Sequence, residues 1–368
     1  MARLRNLNMT LKYEDDLRLF KSRWSRAAIL ALLVLMVVLP LSYTDTFWLR
    51  VLNLAGIAAI GAIGLNLLTG FAGQVSLGHA FFIGVGTYAA VYFGEDQSWP
   101  LPLWLLACAV IGGVIGGIVG PFALRLRGNY LAVVSLGLVF LGIHVFKNWE
   151  SVTGGPGGTG VNPPVTLGSL DFNELSLFGY TYSREQGWFL LIWPLVAVTA
   201  LLVKNIVRTR PGRAMQAVRD RDVAAEVIGV SLARYKIGAF VVSSALAAFA
   251  GGLYGAYSQF VTPENSFNLP LSITYIAIII VGGVGTIFGS IIGAIFIGGV
   301  PEIVSKYSHS IPFVSTSPSE AGFNLTVFQL NQIIFGVLIV VFLVAEPLGL
   351  AAVWFRIKAY FKSWPFSY

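Results

Sequence analysis

One cysteine, three histidines and 17 acidic residues are all that this chain of 368 residues offers for redox, metal or carboxylate chemistry. The lone Cys108 lies in an apolar run; it excludes an intrachain disulfide and a cysteine-built metal cluster, and reads as a small packing residue. No His/Cys/Asp spacing suits a metal and no Ser/His/Asp arrangement can be assembled, so neither a metal site nor an enzyme active site is expected. The phosphate-binding pattern GxxxxGK[ST] is missing throughout, so any ATP that drives this protein must be bound by another chain. Charged residues make up only 11% of the sequence, too few for the surface of a soluble domain. They are nearly absent from the apolar runs, which counts against an ion-coupled secondary carrier, since such a carrier ordinarily needs an intramembrane carboxylate.

Apolar residues fill the gap: 56% of the chain is hydrophobic, which marks an all-α polytopic membrane protein. A span needs roughly 20 apolar residues. The sequence predicts about ten transmembrane or re-entrant helices, near 27–41, 47–69, 74–94, 100–123, 129–147, 188–204, 237–260, 270–285, 287–304 and 326–345. The stretch from Asn265 to Pro301 carries no charged side chain and is too long for one span, so it must turn back, at Gly282, Gly283 and Gly285. The glycines at 112, 116 and 120, four apart, fit close helix packing.

Charge sets the expected topology. Residues 1–26 form a basic N-terminal segment without a cleavage pattern after the first apolar run, so that run is read as an uncleaved span. With both termini cytoplasmic, twenty of the 24 lysines and arginines fall on the inside segments 1–26, 124–128, 204–236 and the tail 347–368, in keeping with the positive-inside rule. The transmembrane domain then runs from 27 to 346. The basic excess is thus topological, and nucleic acid is not an expected partner; membrane lipid is. Residues 148–187 become an extracytoplasmic loop whose SVTGGPGGTG run, Ser151 to Gly160, forbids regular structure and suggests turns over an outer mouth.

The loop at 207–236 is the longest polar run inside the apolar chain. Pro211 suits a first helical turn, Arg213 to Ile228 predict one continuous helix, and Gly229 is a left-handed stop with Ser231 able to cap a second helix. Met215, Val218, Ala225 and Ile228 share one face, while Arg213, Arg219, Asp220, Arg221 and Asp222 occupy the others. That amphipathic pattern fits either a docking helix or a solvated linker.

Five stretches in order carry a resemblance: LNLLTGFAGQVSLGHAFFIGVGTYAA (Leu65 to Ala90), RLRGNYLAVVSLG (Arg125 to Gly137), TGGPGG (Thr153 to Gly158), GRAMQAVRDRDVAAEVIGV (Gly212 to Val230) and IIIVGGVGTIFGSIIGA (Ile278 to Ala294). Together they resemble the permease subunits of branched-chain amino acid ABC importers, most closely the M-type subunit. The resemblance implies a bacterial-type plasma (inner) membrane and no cofactor on this chain. As partners it implies a second related permease, two ATP-binding subunits carrying ATP and magnesium, and an extracytoplasmic substrate-binding protein. It also makes the polar loop a coupling helix. The family pattern Glu-Ala-Ala, three residues, Gly is met by Val223, Ala224, Ala225 and Gly229, with valine in place of glutamate, and Arg213 belongs to the same segment. Where relatives that carry amino acids have a glutamate and an arginine, this chain has Phe140 and Ile143. Leucine, isoleucine and valine are the expected cargo; urea or short amides and aromatic carboxylates are alternatives, and an ion-coupled carrier or channel is the alternative class. Asn66, His79, Thr153, Gly154 and Gly155 are the candidates for the translocation path or its mouth.

Overall fold

The computed structural model describes residues 38–40, 45–124, 130–168, 170–177, 180–307, 314–315, 325–346 and 348–363. The basic segment 1–26 and most of the first expected span, 27–41, lie outside these residues.

Helix α1 (Thr46–Asn66) begins where the Asp45 carboxylate accepts the Phe47 N–H, 3.0 Å, and continues into a π-helical turn, Leu67–Phe71. A non-helical stretch, 72–78, leads to α2 (His79–Ala89), itself extended by the π-helical Ala90–Asp96. Helices α3 (Leu101–Leu124) and α4 (Tyr130–Asn148) follow. The loop beyond α4, whose run 151–160 was expected to hold no regular structure, in fact holds the short α5 (Glu150–Thr153), a 3-10 turn and β1 (Thr159–Gly160), followed by the two-residue strands β2 (Thr166–Leu167), β3 (Leu170–Asp171), β4 (Ser176–Leu177) and β5 (Tyr180–Thr181). Helix α6 (Arg184–Arg208) opens with a reciprocal cap between Ser183 and Gln186, which satisfies two backbone donors that a helix start leaves free.

Two short polar helices, α7 (Arg210–Asp220) and α8 (Asp222–Val227), link α6 to α9 (Leu232–Ser258). Strand β6 (Phe260–Val261) pairs antiparallel with β1, tying the loop after α4 to the end of α9. Then come α10 (Pro263–Ser266), α11 (Leu269–Gly282), α12 (Ile287–Tyr307), the parallel strand pair β7 (Val314–Ser315) and β8 (Leu325–Thr326), α13 (Val327–Ala345) and α14 (Gly349–Ser363).

Among the described residues six helices are long and apolar enough to cross a membrane: Thr46–Phe71, Leu101–Phe122, Arg184–Arg208, Leu232–Ser258, Pro263–Gly282 and Ile287–Val304. A seventh counts if Ala132–Asn148 and Glu150–Gly157, bent by 86°, form one span. Of the ten transmembrane or re-entrant helices expected, the first lies mostly outside the described residues and the last is represented by a shorter apolar helix, Gln329–Phe342. The run at 74–94 became a helix only from His79, and its first residues are non-helical. Hydroxyls of other residues satisfy the backbone there: Leu77 N–H donates to Ser135 Oγ (2.8 Å), Gly78 N–H to Ser76 Oγ (3.3 Å) and Ala80 N–H to Ser272 Oγ (3.0 Å). Such substitution is what permits a broken helix inside a membrane protein. The turn between α11 and α12 falls at residues 283–286, with Gly283 and Gly285 at φ 125° and 77°; Gly282 remains the last residue of α11.

The centre of the bundle is α9, against which α1, α2 and α3 all pack. Glycine makes these crossings possible. A methyl group on Gly86 would lie 1.8 Å from the Ala248 carbonyl oxygen, and one on Gly251 2.0 Å from that of Ile83, so α2 and α9 touch backbone to backbone. Thr87 Oγ1 donates to Gly251 O, 2.6 Å, across the same contact. On α3, Gly112 and Gly116 sit against Ala248 and Ser244 of α9, the close approach that the spacing anticipated. The other side of α3 exposes Leu106, Val110, Val114, Ile118 and Phe122, a stripe with period four that suits lipid.

Candidate functional site

One end of the bundle gathers the polar helices α7 and α8, the C-terminal end of α1, the α11–α12 turn and the start of α14. Helix α7 starts in a tight reversal from α6. Its Gly212 is buried, and a methyl group there would meet Val207 backbone atoms at 2.3 Å; Arg213 closes the reversal by donating from Nη1 to Arg208 O, 2.9 Å. The single helix expected over Arg213 to Ile228 is broken at Arg221, whose φ −155° and ψ 97° are extended. The break lets two faces of the segment be used differently. Met215 and Val218 of α7 and Ala225 of α8 are buried against the chain's own bundle. Ile228, expected on that buried face, is 75% exposed, and together with Val223 (71%) and Val227 (83%) it forms an uncovered apolar patch on α8 and its end. Ala224 is exposed beside it. Gly229, at φ 87°, then reverses the chain toward α9 in a left-handed conformation that favours glycine.

Arg219 is exposed, as expected of the polar face, and also reaches the bundle. Its Nη1 donates to Gly70 O, 2.7 Å, at the C-terminal end of the α1 π-turn, while Nε and Nη2 lie 2.9 and 2.8 Å from Asp220 Oδ1. Next to this bond stands Asn66, buried and held by three hydrogen bonds. Its Nδ2 donates to Thr286 O (2.9 Å) and Ser290 Oγ (2.7 Å), and its Oδ1 accepts the Gly285 N–H (2.8 Å). The residue therefore pins the end of α1 to the α11–α12 turn.

His79 stands at the start of α2, about 8 Å further along α1 by helix rise, since it hydrogen-bonds the Gly61 backbone five residues before Asn66. Its ring lies against Tyr275 of α11, centroids 4.7 Å apart, and its Nε2 is buried without a partner. Thr153, Gly154 and Gly155 lie at the other end of the bundle. Thr153 Oγ1 is 2.5 Å from Phe146 O and 2.8 Å from Trp149 O, and accepts the Gly155 N–H at 3.2 Å; Gly154 and Gly155 have φ 68° and 65°. These three residues build the turn that closes α4. The structure thus sets His79 against Tyr275 of α11 and Asn66 against the α11–α12 turn and Ser290 of α12, about 8 Å apart along α1, and keeps the threonine–glycine turn away from both.

Sequence reasoning missed Arg219, Tyr275, Ser272 and Ser290 as partners. The glycine-rich GGVGT run was visible, but nothing in the sequence says which residue grips it. Arg219 was hidden by its charge, which reads as solvent-facing.

Apolar spans with a polar helix pair at one end define a multi-pass membrane protein that carries a polar appendage on its bundle. The family model described as "Branched-chain amino acid transport system / permease component" matches residues 47–343, and the chain belongs to this family, as an M-type permease. It is 32% identical over 297 residues to the high-affinity branched-chain amino acid transport system permease protein LivM of Escherichia coli, covering 76% of this chain and 68% of that one. It is also 26% identical over 263 residues to the LivH permease of Salmonella typhimurium, covering 68% and 82%, and 20% identical over 331 residues to a probable LivM of Methanocaldococcus jannaschii, covering 80% and 90%. No solved structure matches the chain.

Proposed function

We propose that this chain is the transmembrane permease subunit of an ATP-driven ABC importer for branched-chain amino acids. The observation that carries the reading is the apolar patch of Val223, Val227 and Ile228, uncovered on a short helix flanked by charged residues. A solvated linker has no use for three large apolar side chains at this exposure, whereas a helix seated in a partner's groove does. The polar end of the bundle is then cytoplasmic, Arg213, Val223, Ala224, Ala225 and Gly229 belong to the coupling segment, and one of two ATPase subunits that hold ATP and magnesium docks there. A second permease of LivH type completes the membrane part. The lobe built on β1–β6 faces the binding protein on the other side of the membrane.

Transport by this reading is alternating access: closure of the ATPases moves α7 and α8, and the spans rock between inward and outward openings. His79 is the path residue best supported by its surroundings, through its buried unpartnered nitrogen. Thr153 and its glycines support the mouth as formers of a fixed turn.

The test is uptake into proteoliposomes containing this chain with its partner permease, ATPases and binding protein, using labelled leucine, urea and benzoate separately. ATP-dependent leucine uptake is the expected result. ATP-dependent uptake of urea or benzoate instead keeps the machinery and rejects the cargo. Uptake by this chain alone, without ATP, rejects the importer.

A further inference from the structure

We infer that Arg219 is the positioning residue that carries movement of the coupling segment into the spans, by capping the end of α1 from outside the helix. This rests on the importer reading above and adds a mechanical link to it. The last carbonyls of a helix have no partner within it, and the helix dipole places negative partial charge there. At the end of α1 the Gly70 carbonyl is met by the Arg219 guanidinium at 2.7 Å, from a residue 149 positions away on α7. A charge-assisted bond of this kind is among the stronger contacts available to a polar pair.

The surrounding geometry turns that bond into a joint. The backbone of residues 70–73 wraps around the arginine stem: a methyl group on Gly73, at φ 70°, would lie 2.8 Å from Arg219 Cγ. On the far side, one on Gly70 would lie 2.0 Å from Asn66 Oδ1 and 2.4 Å from the Gly285 nitrogen. Asn66 in turn holds Gly285, Thr286 and Ser290, and Gly283 of the same turn touches Gly349 at the start of α14. A displacement of α7 therefore pulls at one carbonyl on α1 and through it on the α11–α12 turn, elements remote from α7 in sequence. Asp220, bound to two nitrogens of the same guanidinium, fixes the direction in which Arg219 points.

The experiment compares Arg219→Met and Arg219→Lys with the unaltered chain in the complete reconstituted transporter, measuring ATP hydrolysed per leucine imported. The docking patch is untouched, so Arg219→Met should still assemble and hydrolyse ATP within about twofold of normal, while import falls about tenfold, as loss of a charge-assisted hydrogen bond allows. The ratio of ATP to leucine then rises about tenfold. Lysine keeps a cation at the carbonyl but loses the fork on Asp220, and should give an intermediate ratio. Import unchanged in Arg219→Met, or import and hydrolysis reduced in the same proportion, overturns the proposal. If the methionine variant fails to accumulate, the lysine variant decides, and an unchanged ratio in it overturns the proposal. Absence of ATP-driven leucine import in the unaltered complex removes the reading on which the proposal rests, and is told apart by failing before any substitution is made.

Discussion

Val227→Asp combined with Ile228→Asp abolishes ATP-driven uptake and strips the ATPase subunits from the purified complex, while the chain itself stays folded in the membrane. Both side chains are exposed, at 83% and 75%, so their replacement costs the isolated bundle little. In the assembled importer they would be buried in the partner's groove, where each contributes roughly 1.5–3 kcal/mol of apolar burial. Losing both and forcing two carboxylates out of water weakens docking by at least about 100-fold. The measurement is retention of the ATPases during affinity purification of this chain, with the double variant beside the unaltered protein. Substitution of Ala225, which faces inward and is buried, should instead lower the amount of folded chain. Equal ATPase retention by the double variant and the unaltered protein would mean that α8 is not the docking element.

Asn66→Leu produces the largest loss of stability expected of a single polar substitution in this bundle. It removes three hydrogen bonds at once and leaves the Gly285 N–H and the Thr286 carbonyl to find new partners beside a buried apolar side chain. An unsatisfied buried polar group costs about 1–3 kcal/mol, so the substitution should cost on the order of 3 kcal/mol or more. Thermal inactivation in detergent should then begin several degrees lower, at about the shift expected of such a loss in a protein of this size. This separates two roles for Asn66. As a pin between α1 and the α11–α12 turn, it controls stability and leaves the cargo KM close to normal in whatever protein survives. If the variant shows an unchanged inactivation temperature with a raised KM, Asn66 lines the path and the pin is wrong.

Much of the architecture was readable from residue order because lipid imposes a simple rule. The apolar runs that became α3, α6, α9, α11 and α12 are bounded by charges, prolines or the GGVG turn, and each lies within a few residues of its expected place. At 74–94 the helix starts late since side chains from α4 and α11, namely Ser135 and Ser272, satisfy backbone groups of residues 77–80, and partners so distant in sequence leave no local trace. The break at Arg221 is of another kind: arginine is a good helix former, and the interruption leaves Ala225 buried with Val227 and Ile228 outside. Periodicity placed Ile228 with Met215 and Val218 because it assumed an unbroken helix. As for the candidate site, polarity picked out the segment 207–236 and only the family resemblance made it a docking helix, while the bond from Arg219 to Gly70 joins residues 149 positions apart and leaves no local trace.

Labelling tests whether α8 seats in an ATPase subunit. Cys108 is the single cysteine and is buried, so Val227→Cys supplies one reactive thiol at the patch. In membrane vesicles holding this chain alone, a membrane-impermeant maleimide should reach it from the cytoplasmic side. In the assembled, ATP-hydrolysing complex the same thiol should be protected by about tenfold or more, as residues in a desolvated interface core are. Equal labelling in the two states, or labelling only from the outer side, would contradict the account.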